Sequence, residues 1–166
     1  FSLFEVSNMH PGVDNQGGGG MPGTEEMWDD MLTSGKRIFG IATDDAHDYR
    51  SYLPTRANPG RGWIVVKANK LDADEIVQNL EKGFFYASTG VNLKDIVISS
   101  DKIEIQIKQR GKAKFKTEFI GDGGKVLETS IENPAVFTLN KKTTYVRANV
   151  YSSNNFTAWI QPVFVK

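Results

Sequence analysis

The chain has 166 residues, with 20 Lys plus Arg against 20 Asp plus Glu, 39% hydrophobic residues and no cysteine. Zero net charge argues against broad electrostatic binding to nucleic acid or to an acidic membrane surface. No apolar run is long enough to span a bilayer, and without thiols there are neither disulfides nor thiolate metal sites.

Residues 1–7 alternate and predict a strand. They carry no basic leader and no long apolar core, so they do not read as a signal peptide. They read as the middle of something, which predicts a truncated start and leaves the compartment, cytoplasmic or periplasmic, open. "NMHPGVDNQGGGGMPG", residues 8–23, has four consecutive glycines and two prolines and predicts a loop. Thr24 is the predicted N-cap of a helix with Glu25 and Glu26 in its first turn. Met27, Trp28, Met31 and Leu32 share one face, and Gly35 ends it. "RIFGIAT" predicts a strand, and a polar loop follows over residues 48–62. "GWIVVKA" predicts another strand. In the next helix Asp72 is the cap, Glu75 completes a capping box, and Leu71 and Ile76 make a hydrophobic staple. Gly83 ends that helix, and "FFYAST" is a further strand.

This order, strand and helix by turns, implies an α/β layer with parallel strands over residues 1–93. From about Val91 the pattern changes. "DKIEIQIKQ", "AKFKTEFIG", "KVLETSI", "AVFTLN", "TYVRANVY" and "TAWIQPVFV" alternate with period two and are separated by turn signals, which predicts an antiparallel β-sandwich over residues 94–166. Ile103, Ile105 and Ile107 are its expected core face. The basic run "KQRGKAKFK" alternates with apolar residues across a hairpin and reads as a solvated face, not a nucleic-acid surface.

The chemistry concentrates in "IFGIATDDAHDYR", residues 38–50, where an apolar strand ends in Asp44, Asp45, His47 and Asp48. Strand periodicity puts Asp45 and His47 on one face, at or just past the carboxyl end, where α/β proteins hold their sites. One carboxylate and one imidazole suit Zn²⁺, Mn²⁺ or Fe²⁺. His10 is the only other histidine. If strands 1–7 and 37–43 are parallel neighbours, His10 emerges at the same end as His47, with Glu5 and Asn8 beside it. Arg50, Arg56 and Arg61, in the following loop, are candidates for phosphate contact.

These stretches resemble the C-terminal part of a PHP-domain (polymerase and histidinol phosphatase) metallohydrolase of a bacterial branch. "FEVSN" resembles a late strand of that family. "TEEMWDDMLTSGKRIFGIATDDAHDY" resembles its Trp-containing helix and final Asp-x-His metal motif, and "PGRGWIVVKANKLDADEIVQNLEKGFFYASTGV" resembles the segment after that motif. "YVRANVYSSNNFTAWIQPVFV" resembles the closing strands of an appended small β-domain. The resemblance implies a partial β/α barrel at residues 1–93, two or three divalent ions in the complete site, and hydrolysis of a phosphorylated small molecule by metal-activated water. It carries Asp45 and His47 over as metal ligands, while Glu5, Asn8, His10, Arg50 and Arg61 stay as substrate-binding or site-wall candidates. The family's His-x-His motif and middle ligands are absent here. The rest of the site is therefore expected on a missing N-terminal half or on a second copy of the chain, and this chain alone is expected to be nearly inactive. The alternative is a non-catalytic binding module with a degenerate metal site, whose sandwich docks carbohydrate or protein through an exposed Tyr145, Tyr151, Trp159 and Phe164. A third reading is half a barrel that completes itself by dimerising.

Overall fold

The computed structural model describes residues 2–140 and 142–165. The chain runs β1 (Leu3–Asn8), α1 (Thr24–Thr33), β2 (Phe39–Thr43), β3 (Trp63–Val66), α2 (Ala73–Glu81), β4 (Phe85–Ser88), β5 (Leu93–Ile98) and β6 (Lys102–Ile107), then β7 (Phe115–Gly121), β8 (Lys125–Ser130), β9 (Ala135–Thr138), β10 (Tyr145–Ser152) and β11 (Thr157–Phe164). Strand makes up 40% of the residues and helix 13%. Among the described residues only β1 and β2 pair in parallel. All other pairing is antiparallel, in a six-stranded sheet ordered β3-β4-β11-β10-β7-β8 and a three-stranded sheet ordered β5-β6-β9.

The expected partial β/α barrel is therefore wrong: the sheets do not close, and β3 and β4 do not join β1 and β2 in a parallel layer. The physical reason lies in α2. A crossover helix makes its flanking strands parallel by packing on the sheet between them. The nine residues of α2 include none that is buried, and Leu71 is 98% exposed, so no staple forms. The helix acts instead as the long loop of a hairpin, with Val66 opposite Phe85 and Trp63 opposite Ser88. Strand β4 then pairs with β11, so the large sheet takes strands from both sides of residue 93.

The six-stranded sheet is covered on both faces. On one, Tyr86, Phe119, Val146, Ala148, Val150 and Ile160 pack against Ile103, Ile105 and Ile107 of the small sheet. On the other, Ala87, Tyr145 and Trp159 pack against Val6, Trp28, Leu32 and Ala42 from β1, α1 and β2. Period-two alternation along β10 and β11 sends successive side chains into different cores.

Polar side chains join the second layer to the sheet. Gln161 of β11 is 4% exposed; its Oε1 accepts from Gly40 N at 2.8 Å and its Nε2 donates to Gly40 O at 2.7 Å. A Cβ at Gly40 would lie 2.8 Å from both Trp28 Cη2 and Val6 Cγ1, which explains a glycine inside β2. Arg147 Nε and Nη2 donate to the two carboxylate oxygens of Asp29 at 2.6 and 2.7 Å, with Nη2 also 3.1 Å from Glu25. Glu25 further accepts from Trp159 Nε1 and Asn149 Nδ2, at 2.8 and 2.7 Å. Helix α1 is therefore strapped to β10 and β11 by a buried charged pair that is hydrogen-bonded on every side.

The caps differ between the helices. Asp72 accepts from Glu75 N at 3.0 Å as expected, but the Glu75 side chain turns to Asn69 and no reciprocal box closes. Thr24 is not a cap: its hydroxyl donates to Val6 O at 2.6 Å, and Gly23 takes the N-cap position.

Candidate functional site

The parallel pairing of β1 with β2 brings Asn8 opposite Thr43, so both strands end at one edge. Five of the residues singled out from the sequence gather there. Asn8 Nδ2 donates to Glu5 Oε2 and to Asp45 Oδ2, each at 3.2 Å. Glu5 Oε1 accepts from the Thr43 hydroxyl. Asp45 Oδ1 lies 2.9 Å from His47 Nε2, and the ring of His10 stands 5.7 Å from that of His47, edge to face. Asp45 and His47 are open to solvent, with side chains 40% and 68% exposed.

Local structure explains why these groups are presented. Asp45 has φ +47°, a left-handed conformation that non-glycine residues adopt at a cost. The kink turns the chain out of β2 and leaves the Asp45 carboxylate facing Asn8. Next to it, Asp44 accepts from Arg61 N, Gly62 N and Gly60 N at 2.6, 2.7 and 2.8 Å. The backbone N–H groups of His47 and Asp48 both donate to Ala57 O at 2.9 Å. Asn58, fully buried, donates to Asp48 O and Ser51 O at 2.9 and 2.8 Å and accepts from Leu53 N at 3.0 Å. The loop over residues 48–62 is thus knitted to the end of β2.

Asn8 is a hub on the other side. Its backbone is gripped by Asn15, whose Oδ1 accepts from Asn8 N at 2.9 Å and whose Nδ2 donates to Asn8 O at 2.8 Å. Its own Oδ1 accepts from His10 N at 2.9 Å. Asn15 O in turn accepts from Thr24 N at 2.9 Å, so the glycine-rich loop is tied to α1.

The arginines divide. The Arg61 guanidinium donates to Leu53 O at 2.5 Å, Asn58 Oδ1 at 2.9 Å and Pro54 O at 3.2 Å, which makes it a brace of the loop. Arg56 pairs with Asp48. Arg50 is exposed, and its side chain has no partner among the described residues. Asp44, Asn15 and Asn58 were not singled out from the sequence as builders of this edge. The glycine cluster 60–62, whose free N–H groups suit a carboxylate, was the available signal for Asp44.

The electrostatics favour ionised acids. The hydrogen bond from Asn8, more than that from His47, holds the Asp45 carboxyl below the usual carboxylate range. Burial pushes Asp44 up, but the three backbone donors outweigh it and the net shift is downward.

As a metal centre the cluster is incomplete. Asp45 Oδ1 and His47 Nε2 are separated by 2.9 Å, about the span of adjacent ligands on an ion with ~2.0–2.2 Å bonds. Among the described residues, however, no group of three or more His, Cys, Asp or Glu is placed to hold an ion. The expectation of a metal-binding group carried by this chain is corrected accordingly: Glu5 is taken up by Thr43 and Asn8, and the Nδ1 of His10 by a backbone N–H. The donor chemistry fits part of such a site, not the whole of one.

Two other surfaces bear on function. Tyr145 and Trp159, which a carbohydrate-docking face needs exposed, are 0% and 6% exposed. A hollow of about 230 Å³ opens between β3, β4 and β5, lined by Val65, Tyr86, Leu93, Ile96, Ile98 and Ile160, and none of its residues belongs to the cluster at Asp45. Among the described residues no helix is long and apolar enough to cross a membrane. No family model, curated protein or solved structure matches the chain.

Proposed function

We propose that this chain is part of a metal-dependent hydrolase, a phosphoesterase, to which it contributes Asp45 and His47 as two ligands of a divalent ion. The observation that carries this reading is the Asp45–His47 pair itself: one carboxylate oxygen and one imidazole nitrogen, 2.9 Å apart, held out by a left-handed residue at the carboxyl end of a parallel strand. Backbone held in an unfavourable region clusters at functional positions. The motif resemblance of residues 24–93 points to the same chemistry.

When bound, a divalent ion supplies Lewis acidity and a water acidified for attack. Asp45 brings the negative charge, kept ionised and aimed by Asn8. His47 brings a neutral nitrogen, its backbone pinned to Ala57. Arg50, unpartnered and exposed in the adjoining loop, is the guanidinium free to meet a phosphate.

The remaining ligands would come from protein outside these residues, either further chain or a second copy. A second feature supports this. Among the described residues strand β1 has a hydrogen-bonded neighbour on one side only, and parallel pairs are ordinarily buried inside larger sheets.

The test is metal analysis and p-nitrophenyl phosphate hydrolysis on the protein purified from the cells that make it, compared with Asp45→Asn and His47→Gln. Loss of bound metal and a drop in rate of more than about a hundredfold are expected, with unchanged thermal unfolding. Parental metal content and rate in both variants would sink the reading.

A further inference from the structure

We infer that His10 is a preset neutral hydrogen-bond donor to an anionic oxygen of the substrate, and not a further metal ligand; the assignment deepens the hydrolase reading and rests on it.

The two histidines of the site are held differently. Gly12 N donates to Nδ1 of His10 at 3.0 Å. An imidazole nitrogen that accepts a hydrogen bond carries no proton, so the neutral ring must carry its proton on Nε2. The ring is fixed from both sides. Its own backbone N–H donates to Asn8 Oδ1 at 2.9 Å and its carbonyl accepts from Val13 N at 3.1 Å, closing a tight turn. A Cβ on residue 12 would lie 3.2 Å from both Nδ1 and Cε1 of the ring, so the ring rests directly on the Gly12 backbone. Nε2 has no partner among the described residues.

To ligate an ion through Nε2 this ring would have to carry its proton on Nδ1 and break the Gly12 hydrogen bond, whereas no backbone donor occupies Nδ1 of His47 among the described residues. What His10 offers is one N–H, oriented by backbone, 5.7 Å ring to ring from His47. The adjacent carboxylates of Asp45 and Glu5 are already satisfied by Asn8, His47 and Thr43. The unused donor is therefore available to an oxygen held beside His47, and a phosphoryl oxygen is the acceptor that the proposed chemistry brings there. A donor fixed before the substrate arrives loses little freedom on binding.

Two measurements test this, and they separate it from the hydrolase reading. First, long-range ¹⁵N–¹H imidazole spectra of the 166-residue chain report the tautomer directly. The Nε2–H form is expected for His10, with its signal moving as inorganic phosphate is added. An Nδ1–H form, or a phosphate titration that leaves the ring untouched, overturns the inference whether or not the protein is an enzyme. Second, Gln places an amide N–H near the position of Nε2, and Asn places one near Nδ1. Inorganic phosphate is measured as a competitive inhibitor of p-nitrophenyl phosphate hydrolysis. The inhibition constant should stay within about threefold in His10→Gln and rise about tenfold or more in His10→Asn, with bound metal unchanged in both. Loss of metal in His10→Asn would make His10 a ligand, and equal inhibition in both variants would make it a bystander; either result refutes the assignment. If Asp45→Asn leaves metal and rate intact while His10 passes the imidazole test, the hydrolase reading is what fails.

Discussion

Arg147 offers the sharpest test of how this fold is held. Its side chain is 2% exposed and that of Asp29 is 6% exposed, with two parallel hydrogen bonds of 2.6 and 2.7 Å between them. Asn149 Oδ1 accepts from Nη1 at 2.8 Å, and the guanidinium carbon lies 4.9 Å from the centre of the Trp28 ring. Replacing Arg147 by Met keeps the bulk and removes the charge. Asp29 then keeps only the Tyr145 hydroxyl, at 2.8 Å, as a side-chain donor in a site closed to water. Breaking a buried pair from one side costs about 3–5 kcal/mol, because an uncompensated charge stays behind. A domain of this size has roughly 5–15 kcal/mol in total, and melting should fall by roughly 6–20 °C. Removing both charges, in Arg147→Met with Asp29→Leu, leaves neither member of the pair as an uncompensated buried charge; the buried groups that lose a partner, the Tyr145 hydroxyl and Asn149 Oδ1, are neutral. The double variant should therefore be more stable than the single one. Urea unfolding followed by tryptophan fluorescence measures both, since Trp28 and Trp159 flank the pair. If the single variant loses less than about 1 kcal/mol, or if the double variant is the weaker of the two, the charge-burial argument is refuted.

Gly40→Ala forces a methyl to within 2.8 Å of Trp28 and Val6; it should cost about 1–3 kcal/mol in the same urea assay, and a neutral effect would mean that the packing of β2 on α1 is looser than described. Gln161→Leu strips a buried backbone N–H and C=O of Gly40 of their partners; a loss of roughly 1–3 kcal/mol is expected, with the greatest gain in amide exchange along β2. Asp44 has a depressed folded-state pKa, so its contribution is present above the unfolded-state value near 3.8 and is lost as pH falls through the lower folded value. Asp44→Asn should thus be less stable than the parent at neutral pH and show a shallower decline on acidification, read from melting temperature against pH; parallel curves would contradict this. At Asp45, φ +47° favours glycine, so Asp45→Gly should melt no lower than Asp45→Ala although both lose the carboxylate.

Much of the site could be read from residue order. The alternation Phe39, Ile41, Thr43, Asp45, His47 was enough to predict a strand with ionisable groups at its carboxyl end. The condition that β1 be the parallel neighbour of β2, which brings His10, Asn8 and Glu5 alongside, is met by the pairing. Arg61 shows the opposite. As a residue type in a loop it suggested a phosphate contact, yet three oxygens of its own loop occupy it. Nothing in the neighbouring sequence distinguishes Arg61 from Arg50, because both sit in the same polar loop and only its folding decides which guanidinium is consumed.

The sequence by itself determined the periods: which residues alternate, that Asp72 caps α2, and that Ile103, Ile105 and Ile107 share a buried face. These follow from local backbone geometry, which neighbouring residues are sufficient to specify. Only the tertiary structure decided partnership. That β4 joins β11 in an antiparallel sheet, and that Asp29 on α1 meets Arg147 on β10, depends on pairings separated by 70 or more positions. Such pairings are set by how whole faces are covered, and an alternating strand carries the same pattern whichever neighbour it finds.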